Sequence, residues 1–234
     1  MSFVPKFSPS TSGFRFPNSW PHVAAFKVDV LGQAVDVGNA QRGLCGGMVF
    51  AARDYFEHGP AIPPDDHAPG SGPLYDFIGR RLKESFDLPL GPTKYLAFMA
   101  APDGDKGIPL LGWLVKNWTR GIAWRTIRDE LPKILTDIDA GRLCCLGLVC
   151  TSSANPMDLG KNHQVLAYRY ERLGAVLRIW VYDPNRPLRD DVTLELSTAD
   201  PTKPSAIRFV NGSENVRGFF RVKYAPAIPP TAPA

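Results

Sequence analysis

Cys45, His163 and Asp183 are the residues whose types and order could do covalent chemistry. Cys45 lies in Arg42-Gly43-Leu44-Cys45-Gly46-Gly47-Met48, behind a glycine-bearing turn and ahead of an amphipathic run. That puts a thiol at the start of an expected helix, where the partial positive charge of the N-terminus favours a thiolate. His163 opens the run Asn162-His163-Gln164-Val165-Leu166-Ala167-Tyr168, and Asp183 closes Ile179-Trp180-Val181-Tyr182-Asp183-Pro184-Asn185. A thiol nucleophile, an imidazole that moves its proton and a carboxylate that orients the imidazole suffice for acyl transfer through a covalent intermediate. Each residue also has a plainer reading. Most free cysteines are small buried hydrophobes. A histidine at a strand edge can serve only as a hydrogen-bond partner, and Asp-Pro-Asn is sound turn chemistry by itself. The three together favour catalysis, and Gly43, Gly46 and Gly47 read as room for a substrate backbone.

The elements that must hold these residues follow from periodicity. Residues 23–30 read as a first strand, followed by a glycine-bearing loop to Cys45. Residues 46–58 read as a helix that Gly59-Pro60 stops. A second amphipathic helix is expected over 73–86, and a third, short one over 108–117. The apolar run 95–101 carries no clear period. The clearest helix spans about 119–140, with Trp124, Ile127, Leu131, Ile134, Leu135 and Ile138 in one stripe; Pro132 predicts a kink or break there. Beyond Gly141 the pattern turns to strands at 143–150, 163–170, 175–182, 192–196, 206–210 and 218–224, with Glu171-Arg172-Leu173-Gly174 as a hairpin loop. The expected organisation is an extended lead-in over 1–22, one domain over 23–224 and an extended, mobile Pro-rich tail over 225–234. Within the domain, a helical lobe at about 45–140 carries Cys45 and a β lobe at about 143–224 carries His163 and Asp183. The fold class is α+β.

Bulk properties narrow the function. The chain has 234 residues and a formal net charge of +4, with no block of like charges that would mark a nucleic-acid partner. No apolar run approaches the length needed to cross a bilayer. The first twenty residues lack the apolar core of a secretory signal, so the expected location is cytoplasmic. Cys144, Cys145 and Cys150 crowd into one apolar run. Neighbouring cysteines on a strand face opposite ways, so no disulfide framework is expected and these thiols read as core. No Cys or His spacing supports zinc, and neither a cofactor nor a metal is expected. Asp65-Asp66-His67 and Asp103-Gly104-Asp105 read as solvated loop and turn.

The motifs Gly43-x-Cys45-Gly46 before a helix, Asn162-His163-x-Val165-Leu166-Ala167-Tyr168, and Val181-Tyr182-Asp183-Pro184 resemble those of the papain-like cysteine peptidases. The strand ending in Asp-Pro is similar to the bacterial bacteriocin-processing branch, whose third member is Asp. The resemblance implies a nucleophile helix in one lobe, antiparallel strands bearing base and orienter in the other, and a cleft between. It implies Cys45 as nucleophile, His163 as base and Asp183 as orienter, with Asn185 the fallback third member. It also implies an amide a few residues ahead of the nucleophile to bind the oxyanion. Gln41 has the right chemistry at short spacing, and Asn39 the right spacing with a shorter side chain. The expected activity is thiol-dependent hydrolysis of peptide or isopeptide bonds in a peptide or protein substrate. Acyl transfer to an amine by the same triad, or a silent domain that binds a protein partner, are the alternatives.

Overall fold

In a computed structural model, the protein is described over residues 1–20, 26–30, 33–37, 44–87, 90–106, 120–212 and 214–231. The lead-in is more than an extended arm. It forms β1 (Ser2–Phe3) and a short helix α1 (Pro9–Ser12), with proline in the first turn, where its missing N–H is no loss. Phe14, Phe16 and Trp20 are buried and pack ring against ring, Phe14 reaching Tyr55 and Trp20 reaching Tyr75. Prolines do interrupt regular structure here, but the aromatics between them have apolar surface to bury.

A two-stranded antiparallel pair, β2 (Phe26–Val30) and β3 (Gln33–Val37), stands apart from the main sheet. Next come α2 (Cys45–His58) and α3 (Pro73–Ser85). Gly59 closes α2 in the left-handed conformation, at φ 90°, which a glycine adopts without strain. The ambiguous apolar run resolves as helix α4 (Leu90–Met99). The expected 108–117 helix lies outside the described residues.

The long amphipathic stripe forms α5 (Ile122–Trp124), a π-helical stretch (Arg125–Glu130) and α6 (Leu131–Asp139) in unbroken succession. Pro132 therefore does not break the helix. The turn ahead of it widens instead, so that Leu131 N–H donates to Thr126 C=O, five residues back. The widened turn also serves the sheet. Thr126 Oγ1 accepts Phe219 N–H at 3.2 Å, and Glu130 Oε2 accepts Arg221 N–H at 3.0 Å.

The strands are β4 (Cys144–Val149), β5 (His163–Leu173), β6 (Val176–Tyr182), β7 (Thr193–Ser197), β8 (Arg208–Val210) and β9 (Gly218–Arg221). They pair antiparallel in the order β8-β7-β6-β5-β4-β9. The β5–β6 hairpin is tighter than the sequence suggests. Pairing runs out to Leu173–Val176, leaving Gly174 (φ 61°) and Ala175 as a two-residue turn. Where β4 ends opposite Ala167, β5 shifts register and β1 pairs with Arg169 and Tyr170. The N-terminal strand thereby covers backbone that would otherwise be open edge.

Apolar side chains fill both faces of the sheet. One cluster joins the lead-in, α2, α3 and α4 to Cys145, Leu166, Tyr168 and Phe220. The other joins α6 to Cys144, Leu146, Val165, Val181 and Leu194. Cys144 and Cys145 fall to opposite faces, and all four cysteines are free thiols. The fold class is α+β. Among the described residues, no helix is long and apolar enough to cross a membrane.

The tail does not hang free. Through Thr231 it is extended and docked on the helices. Ala227 N–H donates to Asp54 Oδ1 at 3.0 Å, Arg81 Nη2 donates to Ala225 C=O at 2.8 Å, and Tyr55 O–H donates to Pro230 C=O at 2.9 Å.

Candidate active site

Cys45 is the first residue of α2, whose cap residue Leu44 offers no side-chain acceptor. Among the described residues, no side chain accepts from the amide hydrogens of Cys45, Gly46 or Gly47, which point out of the helix start where the dipole favours negative charge. Gly46 and Gly47 face inward rather than towards a substrate. A Cβ on Gly46 would collide with Ser85 Oγ and the Gln164 amide, and one on Gly47 with the Ile78 carbonyl. The two glycines bring the start of α2 against α3 and β5, so their role here is packing. Gly43, Gln41 and Asn39 lie outside the described residues.

His163 is the first residue of β5 and Asp183 directly follows β6, so antiparallel pairing brings the two together. His163 Nε2 lies 2.7 Å from Asp183 Oδ1; the residues are 5 % and 0 % exposed. Asp183 Oδ1 also accepts Asn185 N–H at 2.9 Å, while its buried Oδ2 has no hydrogen-bond partner among the described residues. Cys45 stands close enough to the same imidazole for its charge to act on the ring. Burial by itself would push the imidazole down. The Asp183 carboxylate and then the charge on Cys45 outweigh burial and hold the imidazole well above its usual value. A thiol, an imidazole and a carboxylate in this order are the groups that proton transfer to and from sulfur requires.

Asn185, the fallback third member, does not meet the imidazole. Its side chain instead accepts from Asn18 Nδ2 at 3.2 Å and donates to Glu214 Oε1 at 2.7 Å. Cys150, expected in the strand core, sits one residue past β4 and half-buried beside His163. Burial pushes its thiol up to about 12, against the pull of the imidazole. Tyr95 is buried beside Cys45 and Cys150. Burial and the neighbouring cysteines hold its phenol well above the usual value, and a Cβ on Gly147 would strike its hydroxyl.

Sequence reasoning missed Asn18, Gln164, Glu214 and the site-side position of Cys150. No local signal marks them: Asn18, Cys150 and Glu214 come from other parts of the chain, and Gln164, next to His163, is aimed at Gly46 and Ser85 only by the packing of β5 on the helices. His163, Asp183 and Glu214 offer ligand atoms within 4.8 Å of one another, a set that could hold a metal ion. The 2.7 Å N–O separation, however, is that of a shared proton. His67 pairs with Asp66 at 2.5 Å on the open surface, and among the described residues the pair belongs to no group of three metal-ligating side chains.

A pocket of about 330 Å³ is lined by Ser85, Tyr95, Lys94, Glu130, Phe220 and Arg221. It shares Ser85 and Tyr95 with the surroundings of Cys45, but neither Cys45 nor His163 lines it. Comparison of the chain with protein-family models, with curated proteins and with solved structures finds no match.

Proposed function

We propose that the protein is a papain-like thiol hydrolase that cleaves peptide or isopeptide bonds. The observation that carries this reading is the buried His163–Asp183 pair at 2.7 Å, with the helix-start thiol of Cys45 near enough for its charge to act on the same imidazole. The Cys45 thiolate attacks the scissile carbonyl carbon, and the oxygen takes up negative charge against the amide hydrogens at the start of α2. As the C–N bond breaks, the imidazolium gives its proton to the leaving amine and a thioester remains on Cys45. Water then attacks the thioester, the imidazole takes the water proton, and the acid leaves as the thiolate is restored. Asp183 holds Nε2–H throughout and so keeps the other ring nitrogen pointed at sulfur.

The test is the rate of Cys45 alkylation by iodoacetamide against pH, with His163→Ala as comparison, followed by a peptide-library screen read by mass spectrometry. Fast labelling near pH 6 that the variant loses, with new peptide termini in the library, supports the proposal. Labelling only at alkaline pH, unchanged by the variant, overturns it. An added amine in the library reaction separates hydrolysis, which yields a free acid, from acyl transfer, which yields a new amide.

A further inference from the structure

Asn18 connects the two halves of the site. Its Oδ1 accepts the backbone N–H of Leu44, the residue before the nucleophile, at 2.6 Å, and the Trp20 indole N–H at 3.0 Å. Its Nδ2 donates to Asn185 Oδ1 at 3.2 Å, and its backbone N–H donates to Pro184 C=O at 2.9 Å. One short amide thus grips the start of α2 on one side and Asn185 on the other, while the Asn18 backbone holds Pro184. Asn185 passes the connection on, through its N–H to Asp183 Oδ1 and through its Nδ2 to Glu214 Oε1.

The connection matters because Cys45 and His163 belong to different elements with a long stretch of chain between them. Proton transfer needs them within hydrogen-bond reach, and small displacements are costly in rate. Leu44 is the cap residue of α2 and has no polar side chain to fix that end; Asn18 holds it by accepting the N–H of Leu44 itself. Trp20, buried in the aromatic ladder, keeps the amide turned the right way.

We propose that Asn18 is a positioning residue: it ties the start of α2 to the turn after Asp183 and so sets the approach of Cys45 to His163. The inference rests on the thiol–imidazole reading of the site. Both ends of the amide are used, which makes the side chain specific. Asn185 cannot compensate by turning its own amide, because its Nδ2 is held by Glu214.

The experiment measures Cys45 alkylation by iodoacetamide against pH in the full chain, comparing wild type with Asn18→Ala, Asn18→Asp, Asn185→Ala and the double variant Asn18→Ala/Asn185→Ala. In Asn18→Ala, labelling near pH 6 is expected to fall by at least about tenfold, the scale of effect that misplacement of a reacting group produces. At strongly alkaline pH, where a thiol ionises unaided, labelling stays close to wild type. Asn185→Ala behaves alike, and the double variant loses no more than the larger single loss, since both cut one tether. A residue that only supported the fold would lower the melting temperature and leave the pH profile in place. Asn18→Ala labelling like wild type near pH 6 overturns the proposal. If that variant fails to fold, Asn18→Asp decides by the same criterion, because it keeps the acceptor for Leu44 and Trp20 and turns the donor to Asn185 into a carboxylate oxygen that repels the Asn185 Oδ1. Slow labelling of wild type itself near pH 6 would instead overturn the thiol–imidazole reading, a result distinct from the failure of Asn18.

Discussion

His163 Nε2 and Asp183 Oδ1 meet at 2.7 Å at the mouth of two paired strands, with both side chains out of solvent. The imidazole is held well above its usual value of 6.5: burial opposes the shift, and the Asp183 carboxylate and the Cys45 charge overcome it. A raised folded-state value means the pair stabilises the protein fully below about pH 6.5, and that this is lost as pH rises through the folded value. Unfolding free energies of wild type and Asp183→Asn from urea titration should therefore differ most near pH 6, by about 2 kcal/mol, the scale of a hydrogen bond to a charged group. At alkaline pH they should converge. A gap that widens with rising pH would mean that the folded imidazole is neutral.

Only one of the four cysteines should react in the folded protein. Burial pushes Cys145 up to about 11 and Cys150 up to about 12, and holds Cys144 well above its usual value. Those three thiols stay protonated at neutral pH, and the thiolate is the reactive species. Limited iodoacetamide at neutral pH, followed by peptide mapping, should find the label on Cys45 alone. Comparable labelling of Cys150 would contradict the burial that shields it.

Gly46→Ala tests the packing behind the nucleophile. In an open helix the change would favour folding by about 1 kcal/mol. Here the new methyl meets Ser85 Oγ and the Gln164 amide, and overpacking typically costs about 1–3 kcal/mol. The collision should win, lowering the melting temperature and slowing Cys45 labelling. Because the hydroxyl is part of the obstacle, adding Ser85→Ala should recover a portion of the loss. A Gly46→Ala protein more stable than wild type would show that the wall yields freely.

Removal of residues 225–234 should weaken the fold. The deletion strips Ala227 N–H from Asp54 and Ala225 C=O from Arg81, whose side chains form a buried pair at 2.7 Å. Leaving buried groups short of partners costs about 1–3 kcal/mol. For a chain of this size each kcal/mol moves the melting temperature by about 2–4 °C. Calorimetry on the shortened chain checks this, and an unchanged melting temperature would mean the tail only rests on the surface.

Much of the fold was legible before any coordinates. Turn chemistry ahead of Cys45 and helical spacing after it located α2. Alternation after Asn162 located β5 and β6, and with them His163 and Asp183 at neighbouring strand ends. Legibility failed where a local rule met a tertiary demand. Prolines in the lead-in announced irregular structure, yet Phe14, Phe16 and Trp20 make that segment core. The apolar run over 95–101 has no strong period, and packing on the sheet decided for helix. Pro132 announced a break, and a widened π turn absorbed it while feeding Thr126 and Glu130 to the β9 edge.

By itself the sequence determined which residues could react and the elements that carry them, because periodicity and turn chemistry act over a few residues. Only the tertiary structure chose Asp183 over Asn185 as the partner of the imidazole, since both lie in one turn and register alone aims them. It alone turned Gly46 and Gly47 inward and brought Asn18, Cys150 and Glu214 to the site. Those positions come from strand pairing and core packing between distant segments, and such long-range contacts leave no trace in the spacing of neighbouring residues.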